Sequence, residues 1–189
     1  MSGKNSALRP RSGQKKNFGF KLLDWLTIIA ISLGLAAFLL FVVFSPLKIT
    51  DAGVGGFDDG DLVFADRFSK YVFGFDRGDV VALKKKTVGG DASGRRLVRV
   101  IAFQGEKVTI AGGLVYIDDA LLDETSYTYE MYDGIREEFV VPSGSVFVLP
   151  DDRMMVSKEQ ISELTVSMTQ ILGEVRFIAF PFERFQTFK

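Results

Sequence analysis

From Trp25 to Phe44 the chain reads WLTIIAISLGLAAFLLFVVF, twenty residues without a charged side chain. At about 1.5 Å of rise per helical residue, such a run matches a hydrocarbon core of about 30 Å. A segment of this kind must be enclosed by lipid or by protein on every side. The flank before it is basic, with Lys4, Arg9, Arg11, Lys15, Lys16 and Lys21, and Trp25 stands where an interfacial aromatic would anchor a span. Positive charge on that side predicts a cytoplasmic N-terminus and a remainder outside the cell. The run exceeds the roughly 7–15 apolar residues of a cleavable signal segment. No small-x-small site follows promptly, because the next residues are SPLKITDAG. The expectation is a basic cytoplasmic tail at 1–24, an uncleaved transmembrane helix at 25–44 and an extracytoplasmic domain at 45–189.

Charge divides along the same line. Residues 1–24 hold six basic groups and Asp24, a net +5, whereas the remainder holds 17 basic and 23 acidic residues, a net −6. A mildly acidic outer part makes nucleic acid a poor partner, and the basic tail is explained by topology and anionic lipid. The chain contains no Cys and no His. That excludes disulfides, thiol catalysis, Ser-His-Asp triads and His-ligated metal sites together. Hydrolysis would need Ser or Thr with Lys, paired carboxylates, or a metal held by oxygen atoms alone.

Beyond the apolar run, short stretches rich in Val, Ile and Phe recur: DLVFADRF, DVVALKKK, RLVRVIAF, KVTIAG, LVYIDD, EFVVP, SVFVLP and EVRFIAFPF. Turn residues separate them, and spacings of about 8–12 residues predict a mainly β domain of barrel or sandwich type. KVTIAGGLVYIDD reads as a hairpin turning on Gly112-Gly113. KKKTVGGDASGRR, residues 84–96, reads as a charged, Gly-rich loop, and 157–172 as the one substantial helical stretch.

Taken in order, these motifs resemble the type I signal peptidases, the S26-type serine proteases that remove signal peptides at the outer membrane surface. DGDLVFADRF (59–68) and RGDVVALK (77–84) stand in the places of that family's two Gly-Asp strands. VRVIAFQGEKV (98–108) matches its Lys-Arg-Val-Ile box, VPSGSVFVLPDDR (141–153) its Gly-Asp-Asn-Arg segment, and VSMTQILGEVRFIAFPFERF (166–185) its closing strand. The resemblance spans about Phe41 to Phe185 and implies a signal-peptidase-like β domain on a single anchor, the form found in Gram-positive bacteria.

It fails at the chemistry. Counting back from DGDLV, the family's nucleophilic Ser falls on Ala52, its Met on Gly53 and its Pro on Gly55; the general-base Lys falls on Val98. Gly-Asp-Asn-Arg has become Pro150, Asp151, Asp152 and Arg153, so Asp151, Asp152 and Arg153 are motif remnants. A Ser-Lys pair works because a partly desolvated lysine loses its proton near neutral pH and can take one from Ser. Alanine and valine can do neither, and losing such groups from a serine protease costs on the order of 10⁶ in turnover. Thr50, Ser45 near Lys48, and Ser157 beside Lys158 are the candidate replacements; each reads more simply as a strand or surface residue. The carboxylates Asp58, Asp59 and Asp61 fit a turn around Gly60 better than a cation site. No cofactor and no metal are expected.

What the resemblance leaves is a peptide groove without a nucleophile. Its candidate residues are Thr50, Asp51, Ala52 and Gly53 on one wall and Arg99, Val100 and Ile101 on the other. The leading expectation is a non-catalytic relative that binds exported or membrane-tethered polypeptides and assists their maturation or assembly. Degenerate relatives of this kind accompany sortase-built pili in Gram-positive bacteria, which makes a pilin one candidate client. The alternatives are an active type I signal peptidase with an unorthodox nucleophile and base, and a structural envelope scaffold.

Overall fold

The computed structural model describes residues 18–72, 74–84, 95–124, 134–153 and 156–187. The chain divides into two compact units, Met1–Leu40 and Phe41–Lys189.

A 26-residue helix, α1 (Phe18–Val43), dominates the first unit. Its described side chains, 23–38, are all exposed, Trp25, Ile31, Leu33 and Phe38 each by more than 60%. Apolar residues on every side leave no polar face to turn outward. Among the described residues no helix is long and apolar enough to cross a membrane.

The second unit is mainly β. Its elements run β1 (Phe44–Lys48), β2 (Leu62–Asp66), α2 (Ser69–Val72), β3 (Val80–Lys84), β4 (Arg95–Phe103), β5 (Lys107–Ala111) and β6 (Leu114–Ile117). They continue as β7 (Ala120–Leu121), β8 (Glu137–Val140), β9 (Ser145–Leu149), α3 (Lys158–Ile161), β10 (Thr165–Ser167) and β11 (Ile171–Phe180). Seven strands form one antiparallel sheet in the order β1-β2-β11-β3-β4-β9-β10, and four form a second in the order β7-β6-β5-β8. Each sheet keeps two outer strands, so the expected barrel or sandwich takes the form of two open sheets.

Side-chain alternation accounts for the strands. In β2, Val63 and Ala65 are fully buried while Leu62, Phe64 and Asp66 are half-buried, the period of two that a strand with one inward face requires. The central strand β3 is buried at four successive residues, Val80 to Leu83, because both of its faces are covered. One core cluster gathers Phe147, Leu149, Val100, Ile110 and Leu164; a second gathers Ile49, Val63, Leu97, Val175 and Ile178, with Ala52 packed at its margin. The 107–117 hairpin forms as the sequence implies: β5 pairs with β6 in register Ala111↔Leu114, and Gly112 and Gly113 take φ +60° and +77°. Positive φ at both turn positions is the two-residue geometry that follows strand twist, and glycine adopts it without strain.

The helix expected at 157–172 is not there. Only Lys158–Ile161 is α-helical; a 3-10 turn at Ser162–Leu164 and strand β10 follow, and Ile171 opens β11. Val166 and Ile171 are drawn into the core by pairing of β10 with β9 and of β11 with β3. Tertiary burial outweighs local helical propensity here. Most of the 84–96 loop lies outside the described residues.

Candidate functional site

Between β1 and β2 the chain crosses the large sheet as an irregular segment, and Ala52 sits on it. The segment is held at almost every residue. Thr50 N–H donates to the Arg95 carbonyl at 3.1 Å, and Leu97 N–H donates to the Asp51 carbonyl at 3.1 Å. Asp151 N–H donates to the Gly53 carbonyl at 2.7 Å. Asp51 and Arg96 thus form a parallel bridge, with their side chains 3.5 Å apart as an ion pair. The segment is thus joined to β4 at Arg95–Leu97, ahead of the Arg99–Ile101 stretch expected as the second groove wall.

Gly53, in the family's Met position, is fixed by that approach. A Cβ there would lie 2.8 Å from the Leu97 carbonyl oxygen and 3.2 Å from Pro150 Cβ, so no larger residue fits without moving the backbone.

Three remote stretches converge on Asp151, which is 4% exposed. Arg99 donates Nε to Oδ1 at 2.9 Å and Nη2 to Oδ2 at 2.8 Å, and its Nη1 reaches the Gly78 carbonyl at 2.7 Å. Gly55 N–H donates to Asp151 Oδ2 at 3.0 Å. A bidentate Arg–carboxylate contact fixes orientation as well as distance. The neighbouring Arg153 is 1% exposed, donates to the Pro150 carbonyl at 3.3 Å and pairs with the buried Glu124. Asp152 is exposed.

Val98, in the family's base position, points into the main core and is fully buried. It pairs with Val81 of β3 in a stretch of aliphatic neighbours. Val100 and Ile101, expected to line the groove, are likewise fully buried. Of the second wall, only Arg99 keeps its side chain beside the Ala52 segment, through Asp151.

The candidate replacement nucleophiles are engaged elsewhere. Thr50 Oγ1 accepts from Arg95 N–H at 2.8 Å and donates to the Arg95 carbonyl at 3.2 Å, so its proton is already committed to backbone. Ser45 Oγ accepts from Arg67 at 3.3 Å. Lys158, beside Ser157, pairs with Glu137 at 3.2 Å.

Several holding residues were read in sequence only as turn residues or not at all. Asp59 Oδ1 accepts from Ala52 N–H at 2.8 Å. Asp61, buried at 2% exposure, caps Asp58 N–H through Oδ2 at 2.9 Å. Arg184, from the closing FPFERF motif, reaches the Gly56 carbonyl at 2.9 Å and Asp61 Oδ1 at 3.2 Å, and pairs with Asp58. The acidic cluster is therefore a clamp on the 51–61 loop. Among the described residues no group of three or more carboxylates is placed to hold a metal ion. The signal for Arg184 lay in its fixed place after the aromatic-Pro pair; the sequence marked Asp59 only as a turn carboxylate.

Two carboxyls near this sheet are displaced from their ordinary range. Glu174 on β11 is pushed up to about 7, by burial first and then by Asp79, with Arg176 opposing and Asp66 and Asp76 adding repulsion. Asp79 is also raised, chiefly by burial, against the hydrogen bond from Asp76 N–H.

Comparison with known proteins agrees with the motif order. The family model described as signal peptidase, peptidase S26, matches residues 22–180. Signal peptidase I U of Bacillus subtilis is 26% identical over 171 residues, covering 82% of this chain and 88% of that protein. Signal peptidase I S of the same organism is 27% identical over 174 residues, covering 85% and 90%. Signal peptidase IB of Staphylococcus aureus is 25% identical over 189 residues, covering 88% and 93%. A crystal structure of a signal peptidase I from Enterococcus faecalis overlaps 53% of this chain and 95% of that one, at 20% identity and a TM-score of 0.41; at that score the likeness supports no reading of the site. With the family model spanning 22–180 and the motifs in order, this chain belongs to the signal peptidase family, peptidase S26.

Proposed function

We propose that this protein is a non-cleaving member of the family that binds exported polypeptides and assists their maturation or assembly. One observation carries the reading. The position matched to the nucleophile is Ala52, the position matched to the base is the fully buried Val98, and no described Ser or Thr beside them has a free proton and a neighbouring lysine. A buried strand gains from valine at 98, where an amine would have to shed its hydration. The site is filled in as packing.

The relatives support a second reading. Those compared above are named signal peptidases, which favours an active type I signal peptidase using a nucleophile and base other than the family's pair. That reading needs a Ser or Thr whose loss abolishes cutting.

The client is an exported or membrane-tethered polypeptide, a sortase-built pilin being the class that the resemblance implies. Anchoring by a single helix with a cytoplasmic N-terminus is part of the proposal. It is supported by the uncharged 25–44 run, its basic flank, and the exposure of apolar side chains on all sides of α1. Since Thr50 and Asp51 cover the edge of β4 at Arg95–Leu97, a client strand entering there displaces two backbone hydrogen bonds and the two that the Thr50 hydroxyl makes with Arg95.

The test offers full-length protein in detergent a precursor bearing a signal peptide, followed by mass spectrometry. The expected outcome is an intact precursor that cross-links to a photoreactive residue at position 52. Cleavage at a small-x-small site, abolished by changing one Ser or Thr, establishes the second reading instead.

A further inference from the structure

Among the described residues, the small sheet has an outer strand with a partner on one side only. β8 pairs with β5 on one side, in register Lys107↔Val140 to Ile110↔Glu137, and ends the sheet on the other. A groove of about 670 Å³ lies between β8 and α3, lined by Glu137, Phe139 and Val140 and reaching Thr165 at the start of β10. β10 is itself an outer strand of the large sheet. Residues of two outer strands therefore line one groove.

Its floor is apolar and fixed. Phe139 packs on the main core and meets Phe147 edge-on at 5.1 Å, Ile161 is 3% exposed, and Val140, 58% exposed, stands at the lip. Its rim is acidic on balance: Glu137 and Glu159 face a single ammonium, Lys158, which is already paired with Glu137 at 3.2 Å. The groove shares no lining residue with the Ala52 segment.

We propose that this groove docks an extended polypeptide strand of alternating apolar and basic residues, captured by addition to the free edge of β8. An uncovered strand edge offers main-chain donors and acceptors that an incoming strand satisfies, while alternate side chains fill an apolar floor. Phe139 and Ile161 take the apolar positions, and Glu159 takes a lysine or arginine. The charge also selects against a second copy of this chain. Self-pairing of β8 would bring Glu137 and Glu138 of both copies onto one short ladder, and like charges across a strand pair destabilise it. The site goes beyond the proposed function by giving the client a second surface, and its test stands apart from the cross-link at position 52.

The probe is a fluorescein-labelled heptapeptide alternating valine with lysine and threonine, titrated by anisotropy into full-length protein in detergent micelles. A version with central prolines, which cannot join a sheet, is the control. Saturable binding of the first alone is expected, with slowed amide exchange at Glu138 and Val140. Glu137→Lys/Glu159→Lys should weaken it at least tenfold, and a probe with glutamate for lysine should recover affinity for that variant. If the double variant does not fold, the exposed single change Glu159→Lys carries the same comparison. Binding equal to the proline control, or unmoved by these charge changes, overturns the proposal. So does a concentration-dependent dimer that Val140→Pro abolishes, because β8 then serves self-association.

Discussion

Arg99 and Asp151, on β4 and just beyond β9, are joined by two hydrogen bonds of 2.9 and 2.8 Å. The same carboxylate takes the Gly55 N–H at 3.0 Å, so one side chain ties the Ala52 segment to two strands of the sheet. Both partners are largely enclosed, at 14% and 6% side-chain exposure. Removing one partner of such a pair leaves a charge without compensation and costs about 3–5 kcal/mol. Asp151→Ala should therefore lower the thermal midpoint by roughly 6–20 °C, at about 2–4 °C per kcal/mol for a domain of this size. Unfolding by circular dichroism reads it; a change under about 2 °C means the contact contributes little.

Gly53→Ala tests the close approach of the segment to β4. With its Cβ at 2.8 Å from the Leu97 oxygen, the backbone must part there. A loss of about 1–3 kcal/mol is expected, as for overpacking elsewhere. Faster amide exchange at Leu97, whose N–H bonds to Asp51, should accompany it. Unchanged exchange would show that the segment is not zipped to the strand.

Val98→Lys asks whether the base position is still an amine site. Val98 is fully buried among aliphatic side chains, so an ammonium there meets no partner in the packed core. Chemical denaturation should show a loss of several kcal/mol, of the order found for unpaired buried charge. Ala52→Ser, at a half-buried position, should stay within about 0.5 kcal/mol. A stable Val98→Lys variant that cleaves precursor together with Ala52→Ser would show a dormant site, not a filled one.

Arg153 and Glu124 form a pair closed off from water. Arg153→Ala should cost roughly 3–5 kcal/mol, because the Glu124 carboxylate stays buried alone. Arg153→Met/Glu124→Leu should recover most of that loss. Equal damage from single and double variants would contradict the pairing account.

Stability should also fall between mildly acid and neutral pH. Glu174, held at about 7 against an ordinary 4.5, binds more protons folded than unfolded across that interval. Folded stability is thus greatest below about 4.5 and declines as pH rises to about 7. Glu174→Gln should flatten most of that slope in denaturation series, the remainder belonging to Asp79, which shifts the same way. A slope of opposite sign would mean that Arg176, paired with Glu174 at 2.8 Å, outweighs burial.

Much of the β architecture was legible because strand periodicity and turn glycines are local. Val63 and Ala65 announce an inward face, and Gly112-Gly113 announces a hairpin. The match of Ala52 and Val98 to the family's Ser and Lys rests on the same kind of local signal, the motifs that flank each position. What sequence hid was contact between remote segments. No spacing rule shows that Asp59 would hold Ala52 N–H or that Thr50 and Asp51 would bond to Arg95 and Leu97 of β4. The misjudged helix at 157–172 failed similarly: its fate was decided by strand partners β9 and β3 far along the chain.

Asp151 carries a last consequence, for how such sequences are classified. Its pairing with Arg99 and Gly55 ties three parts of the fold together, whether or not a peptide bond is ever broken nearby. Selection for a folded chain alone suffices to keep it. A residue that matches a family motif is therefore evidence of ancestry before it is evidence of cutting.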